Sequence, residues 1–565
     1  MNKLELTWFG KENNSSIEPR LLIEKQSLSY SSKNDTIVDN GTYDNMLIHG
    51  DNLLALRALE KDYSGKIKCI YIDPPYNTGA AFEHYDDNLE HSIWLSLMRD
   101  RLIILQKLLS PSGAIFVQID DNEMAYLKVL MDEIFDRKNF VSTISVKMST
   151  VSGVKTTHRE KTIVKEKEYI LVYSKDISCF SIKPQYVPVS NIDKEFQYYL
   201  EKKDDNPDHW EVKRLKDVLS EKGLISDITK IDFNSKDVQM KKTVKFIIDN
   251  KDKIWRRAFI RNEYKKLSQE NPNKIFVNLT DNKTHYYYRG REMFFLSDKF
   301  HECLTPEGII EAPSNLLADI WNDINTGVLF NEGGVEFRNS KKPEFLISRI
   351  INMATNVGDL VLDSFLGSGT TAAVAHKMKR KWIGIEMGEH AFTHCKVRLD
   401  NVINGIDSAG VTKVFDWNGG GGYKFYELAP TLINHDALGE PIINKEYNAD
   451  MLASAVAIHE GFKFNPDSLI FWKQSKANEN SYLFVTTKHI TDFIVKEITS
   501  QMSEDEFLII ACKSFDKSAS KISDKIKIKK IPQMLLGKCE FGKDDYSLNI
   551  INPPVYEDEE DDGNE

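Results

Sequence analysis

The six cysteines, Cys69, Cys179, Cys303, Cys395, Cys512 and Cys539, are scattered, and no two form a C-x-x-C pair. That pattern excludes a disulfide framework and a paired-cysteine zinc site, and it predicts reduced thiols in a cytoplasmic protein with no bound metal. No stretch approaches the ~18 uninterrupted apolar residues that span a bilayer. The opening Met1-Asn2-Lys3-Leu4-Glu5-Leu6-Thr7 lacks the basic-then-apolar pattern of a secretion signal. There is no G-x-x-x-x-G-K-[ST] phosphate loop and no recognisable helicase or nuclease motif, so motor and cleavage chemistry are not expected here. A surplus of positive charge is also missing. The formal net charge is −11.

What is present is ordinary for a soluble globular chain, with 41% hydrophobic and 28% charged residues over 565 positions. That length predicts about three or four structural units of ~150 residues. The charge is unevenly spread. The tail at 557–565 holds seven acids and no base, whereas 241–300 holds ten lysines and five arginines against seven acids. A basic middle and a solvated acidic tail are predicted.

Between 44 and 140, short apolar runs alternate with helical patterns. Lys68–Ile72 reads as a buried parallel strand, Ile93–Leu109 as an amphipathic helix ended by Ser110-Pro111-Ser112-Gly113, and Ala114–Ile119 as the next strand. The same logic returns at 341–400. There Leu346–Met353 reads as helix, Asp359–Asp363 as strand, Thr370–Lys379 as helix and Trp382–Glu386 as strand. This is βαβ patterning, which implies a parallel sheet covered on both faces. The predicted class is α/β: a discontinuous Rossmann-like domain with an inserted α+β domain and a C-terminal α/β domain. In the last, Ile526-Lys527-Ile528-Lys529 alternates like an edge strand.

Asp73-Pro74-Pro75-Tyr76 follows the strand Ile70-Tyr71-Ile72 directly. Ligands of parallel sheets sit beyond the carboxyl ends of strands. Two prolines there remove N–H donors and fix outward-pointing carbonyls. An exocyclic amine suits that arrangement. Its nitrogen is a poor nucleophile while its lone pair is delocalised into a ring. Asp73 and the Pro74 carbonyl can each accept one amino hydrogen and so localise the lone pair, with Tyr76 stacking on an extruded base. A rigid strand-to-loop turn without chemistry is the bland alternative. A second proline pair, Asn552-Pro553-Pro554-Val555, lacks the aromatic and reads as linker.

Asp363-Ser364-Phe365-Leu366-Gly367-Ser368-Gly369-Thr370-Thr371 lies between a predicted strand and helix, and Glu386 ends the next strand. The glycines permit a sharp turn and close approach to a ligand, and an acid at Glu386 can accept ribose hydroxyls. Taken alone, Gly367-Ser368-Gly369-Thr370-Thr371-Ala372 also fits a dinucleotide fingerprint. A nicotinamide enzyme, however, has no use for a double-proline amine clamp.

Together these motifs resemble the amino-methyltransferases of DNA. The clamp precedes the cofactor loop, with a long insertion between them, which is similar to the β class. The resemblance sharpens at Leu6-Thr7-Trp8-Phe9-Gly10-Lys11-Glu12, at Leu47-Ile48-His49-Gly50-Asp51-Asn52-Leu53-Leu54-Ala55-Leu56 and at Trp417-Asn418-Gly419-Gly420-Gly421-Gly422. These look like modification (Mod) subunits of type III restriction-modification systems, over roughly 5–175 and 305–430. The resemblance implies an adenine-N6 methyltransferase using S-adenosyl-L-methionine, acting on double-stranded DNA by base flipping. It implies a homodimer and a helicase-nuclease Res partner. Asp73, Pro74, Pro75 and Tyr76 would hold the target adenine. Asp363, Phe365, Gly367, Ser368, Gly369, Thr370 and Thr371 would form the cofactor loop, with Glu386 on the ribose, Asp51 and Asn52 near the cofactor adenine, and Lys342 near its methionine end. For Asp51 a helix N-cap, and for Lys342 a solvated surface lysine, are the competing readings. Asp120 and Asp121 read as structural. Tyr169 and Tyr173 read as walls of the base pocket or as an alternating strand. A cytosine-N4 enzyme and a non-catalytic DNA-binding scaffold are the rival functions.

The implied organisation is an arm at 1–43, core parts at 44–175 and 306–428, an inserted recognition domain at 176–305, a C-terminal domain at 429–555 that docks the partner, and a tail at 556–565. Within the insertion, Arg256, Arg257, Arg261, Lys265, Lys266, Arg289 and Arg291 lie among Trp255, Tyr264 and Tyr286-Tyr287-Tyr288, and they are the candidate DNA contacts. Arg257 and Arg261 are expected on one helix face at i, i+4.

Overall fold

The computed structural model describes residues 5–12, 16–32, 44–77, 91–149, 163–260, 263–280, 283–327, 329–335, 337, 341–478, 480–543 and 546. Arg261, the second proline pair at 552–555 and the acidic tail at 556–565 lie outside them. The chain divides into two compact units, one of Met1–Ile182 with Asp319–Glu565, the other of Lys183–Ala318.

The first unit is built on one large sheet. In chain order its strands are β1 (Leu22–Glu24), β2 (Tyr30–Ser31), β3 (Met46–His49), β4 (Ile67–Ile72), β5 (Leu109–Ile119), β6 (Phe140–Lys147), β7 (Lys167–Ser174), β8 (Ile320–Trp321), β9 (Leu360–Asp363), β10 (Lys381–Glu386) and β11 (Gly422–Leu428). In space the order is β1-β11-β3-β10-β9-β4-β5-β7-β6-β8, with β2 also on β11. Strands from the two ends of the chain interleave: β9 pairs in parallel with β4, and β3 lies between β10 and β11. The central strands are all parallel, and in β4 Cys69, Ile70, Tyr71 and Ile72 are all buried. A strand that alternates side chains between two faces can bury both only when each face is covered.

Helix α1 (Asn52–Tyr63), α2 (His91–Leu108) and α3 (Met124–Phe135) close one face. Leu56, Trp94, Met98, Leu102 and Leu127 meet Ile70, Ile72 and Val117 there in one core. Helices α4 (Glu344–Ala354) and α5 (Thr370–Lys377) flank β9 in the chain. Helix α2 ends just before Ser110-Pro111-Ser112-Gly113, which forms the irregular start of β5. The pairing of β4 with β5 slips there, between Ile67 and Cys69. Five further strands form the C-terminal sheet, whose last three are parallel, with Ile526–Lys530 at its edge as expected.

The second unit holds a six-stranded antiparallel sheet and a three-stranded one. Its limits fall beyond the predicted 305 because Gly308–Leu316 pairs with both Phe300–Thr305 and Tyr186–Pro188. Ile254–Ala258, expected as helix, is a strand gripped on both sides by Tyr198–Glu201 and Arg291–Phe295. Among the described residues of the basic stretch from Ile254 to Glu270, helix starts only at Tyr264 and runs to Glu270. The β-favouring Ile254-Trp255 pair, both fully buried, outweighs the helical spacing of the basic residues. Among the described residues no helix is long and apolar enough to cross a membrane.

Candidate active site at the carboxyl edge of the sheet

The two motifs emerge side by side. Strands β4 and β9 are neighbours in register, Cys69 opposite Val361 and Ile70 opposite Leu362. Asp73-Pro74-Pro75-Tyr76 and Asp363–Thr371 therefore leave the sheet at the same edge, where Glu386 also ends β10 and β3 runs into Gly50.

On the glycine side, Asp363 takes the Phe365 N–H at 2.9 Å and the Thr371 hydroxyl at 2.6 Å. Burial, with the Asp73 and Glu386 charges, pushes Asp363 up to about 7. Gly369 has φ +82° and caps α5. A Cβ there would stand 3.2 Å from the Cys395 backbone in a conformation that L side chains rarely adopt. Thr370 receives the Arg398 guanidinium at 2.7 Å and lies 3.2 Å from the Ser368 hydroxyl. Glu386 closes the loop: Oε2 accepts from Gly367 N at 2.6 Å, and Oε1 from Met387 N and Gly388 N at 2.9 and 3.1 Å, with His390 Nε2 2.8 Å away. Phe365 packs on the main core. The Ser364 hydroxyl is buried and has no hydrogen-bond partner among the described residues. An orphaned buried hydroxyl, a glycine turn and a terminal carboxylate at one end of the sheet fit a polar ligand that carries hydroxyls.

Asp51 is the N-cap of α1. Asp51 Oδ1 accepts from Leu53 N and Leu54 N at 2.9 and 3.1 Å, and Oδ2 lies 3.3 Å from buried Arg101. Asn52 donates to the Ser364 carbonyl at 2.7 Å and accepts from Arg101. Asp51 thus caps α1, and Asn52 ties α1 to the loop at Ser364.

On the clamp side, the Tyr76 hydroxyl lies 2.6 Å from Asp73 Oδ1 and 2.8 Å from Glu168 Oε2, with one proton to give. Lys342 Nζ donates to that hydroxyl at 2.9 Å and stands 3.1 Å from Asp73 Oδ2 and 3.4 Å from Glu168 Oε2. Gln118 donates to Glu168 and accepts from Tyr71. Trp94 donates to the Pro75 carbonyl at 2.8 Å. Among the described residues no donor is bonded to the Pro74 carbonyl. Burial raises Asp73, and the Glu168 charge adds to the rise against the pull of Lys342. Burial also pushes Glu168 up, but Lys342 with the Gln118 and Tyr76 hydrogen bonds outweighs it and leaves Glu168 lowered. Burial would discharge Lys342, yet the two carboxylates hold it above its ordinary value.

Lys342 is thus not a solvated surface lysine; its contacts are with Asp73, Tyr76 and Glu168. It belongs to the clamp. Its neighbour Glu344 starts α4 fully buried, bonded to Lys377 and Arg398 at 2.7 Å each and to Val411 N at 3.0 Å. Glu168 and Gln118 went unsuspected in the sequence. The parity of β7 was the available signal, since Glu168 shares a sheet face with Tyr71 and Gln118. Tyr169 and Tyr173 point the other way. Tyr173 is buried and bonded to Asp132, and Tyr169 meets Asp121, as the alternating-strand reading has them. Asp120 accepts from Asn122 N at 2.8 Å, a structural turn.

In the second unit, Arg256 lies on a packed face and is paired with Glu195. Arg257 and Arg291 are exposed on the other face. Arg289 Nε bonds the Pro272 carbonyl at 2.9 Å. Lys265 and Lys266 are exposed on Tyr264–Glu270, with Lys266 3.9 Å from Glu270.

Asp73-Pro74-Pro75-Tyr76 and the glycine turn thus leave adjacent parallel strands of one α/β sheet. The DNA methylase family, that of the N6/N4 methyltransferases, matches residues 67–396, more than half of the chain, and the chain belongs to it. It is 36% identical over 419 residues to the probable type III restriction-modification enzyme HindVI Mod subunit of Haemophilus influenzae, covering 69% of this chain and 55% of that protein. It is 27% identical over 447 residues to the type III EcoPI Mod subunit of Escherichia phage P1, covering 72% and 65%. It is 28% identical over 364 residues to the type II methyltransferase M.EcaI of Enterobacter cloacae, covering 60% and 66%. The chain spans little more than half of the first relative's length and under two thirds of the second's.

Proposed function

We propose that this chain transfers the methyl group of S-adenosyl-L-methionine to adenine N6 in double-stranded DNA, as the modification subunit of a type III restriction-modification system. One observation carries the reading: β4 and β9 are hydrogen-bonded neighbours, so the clamp and the glycine turn share one edge. Membership of the DNA methylase family and the likeness to two type III Mod subunits support it.

The cofactor supplies an electrophilic methyl group on a sulfonium. Glu386, the loop Phe365–Thr371 and the unpartnered Ser364 hydroxyl are the groups that would hold it. Asp73 and the Pro74 carbonyl accept the two amino hydrogens of the extruded adenine, which draws its nitrogen toward tetrahedral geometry and localises the lone pair. Tyr76 lies against the base. For the amine to reach Asp73, the contacts of Asp73 with Lys342 and Tyr76 must loosen, and Glu168 then keeps Lys342 charged and in place. Pairing of two such subunits, docking of a Res subunit on 429–555, and DNA recognition by the unit Lys183–Ala318 complete the reading.

The test is incubation of the full chain with duplex DNA and methyl-labelled cofactor, followed by nucleoside analysis. Label in N6-methyladenine is expected. Label in N4-methylcytosine, or none in any nucleoside while the cofactor binds, overturns the reading.

A further inference from the structure

The six-stranded sheet of the second unit has two faces of different chemistry. Its strands run Glu211–Arg214, Tyr198–Glu201, Ile254–Ala258, Arg291–Phe295, Lys283–Tyr288, Phe276–Thr280, each antiparallel to its neighbours. Residues opposite one another across antiparallel strands share a face, so the register sorts every charge. Glu211 opposite Glu201, Lys213 opposite Tyr199, and Ala258 opposite Glu292 define one face, which also carries Arg256. That face is covered. Tyr199 and Ile254 pack with Ile247 of the helix Val238–Asp249, and its charges are paired, Lys213 with Glu201 and His285 with Glu292, each at 2.6 Å.

The opposite face carries Arg214 opposite Tyr198, Arg257 opposite Met293, and Arg291 opposite Tyr288. Every charged residue that the register puts there is an arginine. All three are exposed, and among the described residues none is ion-paired with an acid. Each lies over a ring instead: Arg214 and Arg257 over Tyr198 at 4.8 and 5.0 Å, Arg291 over Phe259 at 6.0 Å. The floor is a small cluster around Trp255, Met293 and Phe295, with Tyr198, Tyr286 and Tyr288 partly open to solvent; among the described residues its hydrophobic members come from strands and loops. Leu279, on the edge strand of the same face, is 69% exposed.

We propose that this face binds single-stranded DNA. A guanidinium over a tyrosine ring widens the platform and still has N–H donors for a phosphate, Arg214 spending one of its five on Gln197 Oε1 at 3.2 Å. Six strands at ~4.8 Å spacing make a face wider than the ~12 Å major groove, which admits a helix or a two-stranded ribbon. Unstacked bases can lie on it, each stacking contact contributing ~1–3 kcal/mol. Unpaired cations with no acid among them match the phosphate backbone of the same strand. The proposal takes from the functional reading only that the nucleic acid is DNA.

The experiment measures fluorescence anisotropy of the full chain with a short labelled single strand and with its duplex, over a range of salt. The parent is expected to bind the single strand. Arg214→Ala/Arg257→Ala is expected to lose about 10-fold in that affinity and to flatten the salt slope by about 1.4, with an unchanged unfolding midpoint. Arg257→Gln, a single exposed change, is the second variant should the double one loosen the sheet, and it should lose affinity in the same direction. Arg256→Ala, on the covered face, should lower the unfolding midpoint and leave single-strand affinity alone. Parent-like affinity in both Arg257 variants, or a parent that binds only duplex, or no DNA at all, overturns the proposal. Cofactor calorimetry and methyl transfer are scored separately: loss of methylation with intact single-strand binding counts against the enzymatic reading and not against this face.

Discussion

Lys342 Nζ donates to the Tyr76 hydroxyl at 2.9 Å across 266 residues of chain, and the same ammonium stands 3.1 Å from Asp73. One buried cation therefore holds the amine clamp from the far half of the domain. Lys342 pulls the Asp73 carboxyl down against burial and the Glu168 charge. Lys342→Met removes that pull and raises Asp73 further. Asp73 works as a hydrogen acceptor only when ionised, so the acidic limb of the kcat/KM–pH profile should move to higher pH. An unmoved limb would separate Lys342 from the clamp.

Asp363 should make stability fall as the pH rises. Its unfolded carboxyl ionises near 3.8, whereas in the fold it holds its proton to about 7. The contribution is fully present below 3.8 and is lost as the pH rises through 7, a span on the order of 4 kcal/mol. Asp363→Asn keeps an acceptor for Phe365 N and abolishes the titration. Urea unfolding across this window should show a flatter profile and a variant more stable than the parent above pH 7. Glu332, also pushed up to about 7 by burial and by Glu344, leaves a residual slope. A variant with the parent's full slope would contradict the assignment.

Glu344 acts in the opposite sense. Lys377 and Arg398 overcome its burial and hold it down to about 2, so its contribution is present above 4.5 and is lost as the pH falls through 2. Glu344→Gln leaves two buried cations short of their partner and should cost about 3–5 kcal/mol. Equilibrium denaturation at neutral pH checks this, and a loss under 1 kcal/mol would refute it.

Glu386→Gln places an amide donor against the N–H groups of Gly367 or of Met387 and Gly388, all of which now point at carboxylate oxygens. Losing a charge-assisted acceptor costs ~1.5–3 kcal/mol, so calorimetry should show about 10–100-fold weaker cofactor binding. Thermal unfolding of the cofactor-free protein distinguishes a weakened site from a collapsed loop. Undiminished affinity would remove Glu386 from the cofactor site.

Much of the site was legible in the chain because it depends on local backbone chemistry. Asp73-Pro74-Pro75-Tyr76 and Phe365-Leu366-Gly367-Ser368-Gly369 carry their meaning in consecutive residues, since prolines and glycines act on their own φ and ψ. The β4, β9 and β10 strands showed as apolar runs for the same reason that both their faces are buried. Arg257 was misread as helical because i, i+4 spacing cannot report that Ile254–Ala258 is gripped by strands on both sides.

The sequence by itself determined the parallel α/β core, the clamp and the glycine turn, because each is written in short-range pattern. Only the tertiary structure decided that Asp51 caps a helix, that Glu168 and Lys342 complete the clamp, and that Arg256 and Arg257 face opposite ways. Those outcomes depend on strand register and on which charges meet when water is excluded, and both are set by residues far apart in the chain.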